Sequence, residues 1–257
     1  MPFINANDNT KIHYQIDVCK NLGNKEESSN NSPLFLIAGI TNSLNAFDNI
    51  TPLLTQKYTV IRMDNRGAGK TCCFNDEHDF TLDDIAQDAA TVINHLKDEL
   101  NFNKINVIGH SMGGAIAQII AINNPKLINK LVLYSTFCVS DRIPITSFEI
   151  MAQMQENNVD IEIITKLKLI MAFSEGFIKN PQNISDFVDF AKNSPAVQTN
   201  SGFIKQINAY SKFDVSDPKL LNKITCQTLI ISSDNDLIAP KSNALYLKKH
   251  IPNTILH

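Results

Sequence analysis

Cysteine is sparse and poorly placed for any framework. The five residues Cys19, Cys72, Cys73, Cys138 and Cys226 are odd in number and lack the paired spacing of a metal site. Cys72 and Cys73 have no partner cluster, so a metal or redox pair is set aside and reduced, incidental thiols are expected. Long apolar runs are missing as well: none approaches the roughly 18 residues that a membrane span needs. The opening "MPFINANDNTKIHYQ" has no basic stretch followed by an apolar one, so no secretory signal is visible. Positive charge is not in excess either. The 23 basic residues face 26 acidic ones, a formal net charge of -3, and the longest cationic feature is Lys248-Lys249. That balance gives no general attraction to nucleic acid or an anionic membrane. The expectation is a cytoplasmic protein with a small-molecule partner and no membrane span, its oligomeric state left open.

What is present is a rhythm. Short apolar runs recur at "PLFLIAGI" (33–40), "YTVIRMD" (58–64), "KINVIGH" (104–110), "KLVLYST" (130–136) and "QTLIISS" (227–233). Their hydrophobicity is continuous rather than alternating, which predicts strands covered on both faces, as in a parallel sheet. Between them, "TLDDIAQDAATVINHLKDEL" (81–100) opens with Thr81 and Asp84 at capping-box spacing. It sets Leu82, Ile85, Ala89, Val92, Ile93 and Leu96 on one helical face. "MGGAIAQIIAINNP" (112–125) reads as a second helix, halted by Pro125. Such alternation predicts an α/β fold with right-handed crossovers.

At the start, "FINAN" and "KIHYQID" around "DNT" read as an antiparallel hairpin at the sheet edge. Residues 21–32 are polar and read as a surface loop. From 142 to 214 the strand–helix rhythm gives way to four helical patterns joined by polar breaks. The expected organisation is a core of 1–141 and 215–257 with a helical cap at 142–214. Most Met and Phe residues of the insertion are expected to pack its own core.

The chemistry-bearing stretch is "INVIGHSMGGAIAQII" (105–120). A strand runs into Gly109, then Ser111, then Gly113, and continues as a helix. In this strand–turn–helix context the turn is so tight that the serine takes a strained conformation, with glycines to avoid clashes. The hydroxyl is then held at a helix N-terminus, where the dipole and free N–H groups favour developing negative charge. "GHSMGG" lacks the Lys-Ser/Thr of a phosphate-binding loop, so no nucleotide, flavin or metal cofactor is expected.

With these residues in view, the chain resembles the α/β-hydrolase superfamily, a mostly parallel sheet with flanking helices. "LIAGITNS" (36–43) stands where that family has a His-Gly-x strand end, with Ala38 in the histidine place. "DNRGAGKT" (64–71) looks like its Asp-x-Arg-Gly-x-Gly-x-Ser turn, and "SSDNDLIAP" (232–240) is similar to its acid loop, with Ser233 in place of glycine. The N-terminal stretch and the "DNRGAGK" turn look most like the 3-oxoadipate enol-lactonase branch. The resemblance implies Ser111 as nucleophile, Asp236 as the acid, and the N–H groups of Ile40 and Met112 as an oxyanion hole. Asp234 is the rival acid, read as a loop cap. Asp64 and Arg66 read as a structural turn network. A serine nucleophile excludes the branches that attack with a carboxylate.

The same resemblance asks for a histidine after the acid. His250 falls at a helix end and His257 at the beginning of a last strand; neither is where the base is expected. His110 adjoins Ser111 but should point elsewhere, and His13, His78 and His95 belong to the hairpin, a loop and a helix. The expectation is therefore a serine hydrolase of a small ester or lactone whose base is not found. The chain is either shortened at its C-terminus or a degenerate member that binds a small ligand. Thioester cleavage or acyl transfer is a further reading of the same serine.

Overall fold

In the computed structural model, which describes residues 2–20, 32–71, 78–193 and 198–257, the apolar runs form one eight-stranded sheet. The strands are β1 (Phe3–Asn5), β2 (Lys11–Asp17), β3 (Leu34–Ile37), β4 (Val60–Met63), β5 (Ile105–His110), β6 (Ile128–Tyr134), β7 (Gln227–Ile231) and β8 (Thr254–Leu256). Their order is β1-β2-β4-β3-β5-β6-β7-β8. β1 pairs antiparallel with β2, and β2 antiparallel with β4; the other neighbours are parallel. The expected hairpin thus forms one edge. β3 and β4 are buried at every position, as strands covered on both faces must be.

Helix α1 (Leu82–Glu99) starts where the capping box was read. The Asp84 N–H donates to Thr81 Oγ1 at 3.2 Å, and the Thr81 N–H donates to Asp84 Oδ2 at 2.7 Å. Its Leu82, Ile85, Ala89, Val92, Ile93 and Leu96 are all buried, each worth about 1.5–3 kcal/mol for a large side chain. Helix α2 (Met112–Asn123) is buried from Met112 through Ile122. It is a core helix, so its sequence is apolar all round rather than striped.

Between β6 and β7 the chain makes helices α3 (Arg142–Glu156), α4 (Ile161–Ala172), α5 (Pro181–Asn193) and α6 (Asn200–Ser211). The excursion leaves and returns at one point: Val139 and Asp214 form an antiparallel bridge. The Val215 N–H donates to Cys138 O at 2.8 Å, and the Ser140 N–H to Phe213 O at 3.1 Å. Phe148, Met151 and Phe203 of this excursion join the same apolar cluster as the sheet, not a core of their own. The reason is that α3 and α6 turn their rings toward Phe137, at the end of β6, through edge-on contacts of Phe148, Phe203 and Tyr210. Phe173, Phe177, Phe187 and Phe190, by contrast, pack ring against ring within the excursion. Helix α7 (Lys241–His250) connects β7 to β8. Cys72, Cys73 and residues 21–31 of the polar loop lie outside the described residues. No described helix is long and apolar enough to cross a membrane.

Candidate active site

Ser111 follows β5 directly and has φ 54° and ψ -122°. A non-glycine residue there carries strain of about 1–3 kcal/mol and persists only if its surroundings hold it. They do. The Ser111 N–H donates to Tyr134 O at 2.9 Å, and Thr136 Oγ1 donates to Ser111 O at 2.7 Å. That carbonyl also accepts the Gly114 N–H at 2.8 Å. The glycines are demanded by backbone approach rather than by the turn alone. A Cβ on Gly113 would lie 2.1 Å from Ile37 O, and one on Gly109 would lie 2.4 Å from Gly113 O. Strand β3 therefore butts directly against the first turn of α2.

The same approach brings the end of β3 beside the serine: a Cβ on Gly39 would sit 3.1 Å from Ser111 Cβ. Ile40 and Met112 are both buried. Among the described residues, neither backbone N–H donates to another group. Met112 is the first residue of α2, whose N–H has no acceptor within the helix. The N–H groups of Met112, next to Ser111, and of Ile40, next to Gly39, are thus both without an acceptor among the described residues.

The loop carrying Ile40 is tied to the helical excursion by a residue no motif announces. Gln206 of α6, fully buried, accepts the Thr41 N–H at 3.4 Å and donates to Arg66 O at 2.7 Å. Gly67 and Gly202 touch backbone to backbone beside it; a Cβ on Gly67 would lie 2.7 Å from Gly202 O. Neither signal could be read from local sequence, because both depend on two distant segments meeting.

Asp236 sits in the loop after β7. Its Oδ1 accepts the N–H groups of Ile238 at 2.9 Å and Ala239 at 2.8 Å. Asp234 is exposed and pairs with Lys241, whose ammonium holds the Asp234 carboxyl below the usual carboxylate range. Beside this loop is a cavity of about 490 Å³, lined by Asp236, Leu237 and Ile238 and by Ile143, Ser147 and Met171 of the excursion. Ser111 is not part of its wall.

No described histidine hydrogen-bonds to Ser111 or Asp236. His110 lies over the Tyr134 ring at 5.0 Å between centroids; burial pushes its imidazole below the ordinary value, with Asp236 acting in the opposite sense. His13 is buried and pairs with Asp64 at 2.7 Å. His95 meets Tyr14, His250 meets Tyr246, and His78 is exposed. His257 continues the β7–β8 ladder, its N–H donating to Ile230 O at 2.9 Å. β8 is three strand spacings from β5, about 14 Å, far beyond hydrogen-bond reach.

The "DNRGAGKT" turn is a buried charge network. Asp64 accepts the Leu44 and Lys70 N–H groups, each at 2.8 Å, besides His13. Arg66 forks onto Asp88 at 2.6 and 2.8 Å and also holds Asp8. The guanidinium pulls the Asp8 carboxyl down to about 2, while burial pushes the Asp88 carboxyl up against it. The network supports the floor on which Gly39, Ile40 and Ser111 meet: Asn65 donates to Ala38 O at 2.8 Å. No group of three metal-ligating side chains occurs among the described residues.

Strained serine, parallel sheet and interstrand helices together define a hydrolase fold. The chain belongs to the alpha/beta hydrolase fold family, whose model matches residues 32–257. Among its relatives is a protein named for carbamate hydrolysis, RutD of Caulobacter segnis, 24% identical over 200 residues, 78% of this chain and 72% of that one. The pyrrolizixenacetamide deacetylase of Xenorhabdus hominickii is 29% identical over 197 residues, 76% of this chain and 70% of its own. Of solved structures, the enol-lactonase of Burkholderia xenovorans LB400 superposes with a TM-score of 0.76 at 19% identity, covering 99% of this chain and 90% of that one.

Proposed function

We propose that the protein is a serine hydrolase that cleaves a small carboxylic ester or lactone through an acyl-enzyme. The observation that carries this is the strained backbone of Ser111 at the start of α2, with Gly39 packed closely beside it. Ser111 Oγ attacks the carbonyl carbon. The charge that develops on the carbonyl oxygen meets the two N–H donors, each worth about 2.7–4 kcal/mol of barrier. Collapse expels the alcohol, which takes up the proton that Ser111 Oγ has given up, and leaves Ser111 acylated; water then repeats the attack, returns a proton to Ser111 and frees the acid. Asp236, at the C-terminal end of β7, is the carboxylate that would orient and stabilise an imidazolium. Residues 142–214 serve as a cap over the C-terminal ends of the strands, shielding the acyl-enzyme from water.

A second reading is favoured by one observation: no described imidazole bonds to Ser111 or Asp236. Without a base the same cleft binds a small ester or lactone without turning it over. Incubation with p-nitrophenyl acetate, a γ-lactone and a phenyl carbamate separates the two. Catalysed release from the ester or lactone, abolished by Ser111→Ala, supports hydrolysis. Saturable binding with no release supports the ligand-binding reading, and release faster from the carbamate than from either of the others would move the substrate class toward the activity for which RutD is named.

A further inference from the structure

Ser111 needs a proton acceptor, and the surroundings of Gly39 show which imidazole is beside it. A methyl built on Gly39 would stand 3.1 Å from Ser111 Cβ and 3.3 Å from His110 Nδ1. The ring nitrogen and the serine side chain therefore meet at one spot, next to the residue that precedes Ile40. His110 does not turn away from the serine as its neighbouring place on the turn suggests. Its ring stays over the strand ends, packed on Tyr134, its register partner on β6. His110 and Ser111 are both half-buried, so neither is sealed into the core.

The strand order sets a carboxylate on the far side of this ring. β3 lies on one side of β5, and β6 and β7 lie on the other. The imidazole at the end of β5 is thus placed between Gly39, after β3, and Asp236, after β7. Burial, the larger effect, favours the neutral ring, and Asp236 acts in the sense that favours the imidazolium. A neutral ring is the form that accepts a proton. The other imidazoles are held elsewhere: His13 on Asp64, His95 by Tyr14, His250 by Tyr246, His257 on the β7–β8 ladder and His78 at the surface before α1.

We propose that His110 is the general base for Ser111, in place of a histidine after the acid, with Asp236 steadying the imidazolium. This rests on the reading of Ser111 as acyl acceptor. The Ser111 hydroxyl proton passes to His110 Nδ1, directly or across one water, as Oγ bonds to the carbonyl carbon. The imidazolium gives that proton to the alcohol oxygen as the carbon–oxygen bond breaks. A water then gives its proton to the same nitrogen while its oxygen bonds to the acyl carbon. The proton returns to Ser111 Oγ as the acid leaves.

The test uses the full chain and p-nitrophenyl acetate, with turnover by Ser111→Ala subtracted. His110→Phe keeps a ring against Tyr134 and carries no nitrogen. It should lower Ser111-dependent turnover by at least about 100-fold while melting as the parent does. His110→Ala opens a space the size of the ring, and free imidazole should restore Ser111-dependent turnover in it, saturating with concentration. A purely structural role gives no such rescue, so turnover lost in both variants without rescue overturns the assignment. Turnover unchanged in His110→Phe overturns it as well, as does a parent chain in which Ser111 supports no turnover. Fluorophosphonate labelling keeps the two claims apart. A label that survives Ser111→Ala removes the nucleophile, whereas Ser111-dependent labelling at the parent rate in His110→Phe removes only the base.

Discussion

Gly113→Ala isolates the close approach between β3 and α2 on which the site depends. The new methyl would stand 2.1 Å from Ile37 O and 2.7 Å from Ala38 O, where real Cβ atoms essentially never come within 3.0 Å. Both neighbours are backbone, so no rotamer change relieves the overlap. Either α2 or the strand end must retreat by about 1 Å, and a misplacement of that size costs on the order of 100-fold in rate. Overpacking of this kind costs about 1–3 kcal/mol in stability, and each kcal/mol lowers Tm by about 2–4 °C in a chain of this class. The assay is the second-order rate of Ser111 labelling by a fluorophosphonate, measured beside a thermal melt. Labelling should slow by about two orders of magnitude while the protein remains folded at 25 °C. Gly176→Ala, whose methyl would meet only Ser174 Oγ at 3.9 Å, is the control and should label at the parent rate. An unchanged rate in Gly113→Ala would refute the claim that this contact sets the geometry of the serine.

Arg66→Met leaves Asp88, with a side chain 1% exposed, without its partner; urea unfolding should show a loss of about 3–5 kcal/mol, and a loss below 1 kcal/mol would mean that the network is not structural. Asp8 has a folded-state value depressed to about 2 from 3.8, so its contribution is present above pH 3.8 and lost as pH falls toward 2. Its carboxyl is 54% exposed, and screening keeps the contribution under about 1 kcal/mol; Asp8→Asn should flatten the stability profile in that window and nowhere above pH 5. Gln206→Leu strands the Thr41 N–H and Arg66 O, costing about 1–3 kcal/mol for each buried group left unpaired. It should slow labelling of Ser111 through the loop bearing Ile40; normal labelling with reduced stability would restrict Gln206 to a packing role.

The parts of the fold legible in the sequence were those written within one segment. The capping box at Thr81 and Asp84 and the halt before Pro125 are local interactions. The apolar runs of β3 and β4 are forced by burial on both faces. Of the glycines around Ser111, Gly109 answers to Gly113 within the turn itself, whereas the demand on Gly113 comes from Ile37 in the distant strand β3. What was not legible depends on distant segments meeting. Gln206 bonds across 140 residues to Arg66, and Gly202 looks like a poor helix residue until Gly67 is set against it. The rings of Phe148 and Phe203 carry no sign of which core they will join. Of the histidines, the sequence set His250 and His257 aside by their places after the acid, His110 by its direction on the turn, and His13, His78 and His95 by the elements that hold them; none is hydrogen-bonded to Ser111 among the described residues.

The most direct measurement is mass spectrometry of the protein after reaction with a fluorophosphonate, followed by peptide mapping. Attack by the serine at the elbow predicts one adduct, on the peptide bearing "GHSMGG", absent in Ser111→Ala and about 100-fold slower to form in Gly113→Ala. An adduct on any other residue, or one that survives Ser111→Ala, would contradict the assignment of Ser111 as the nucleophile.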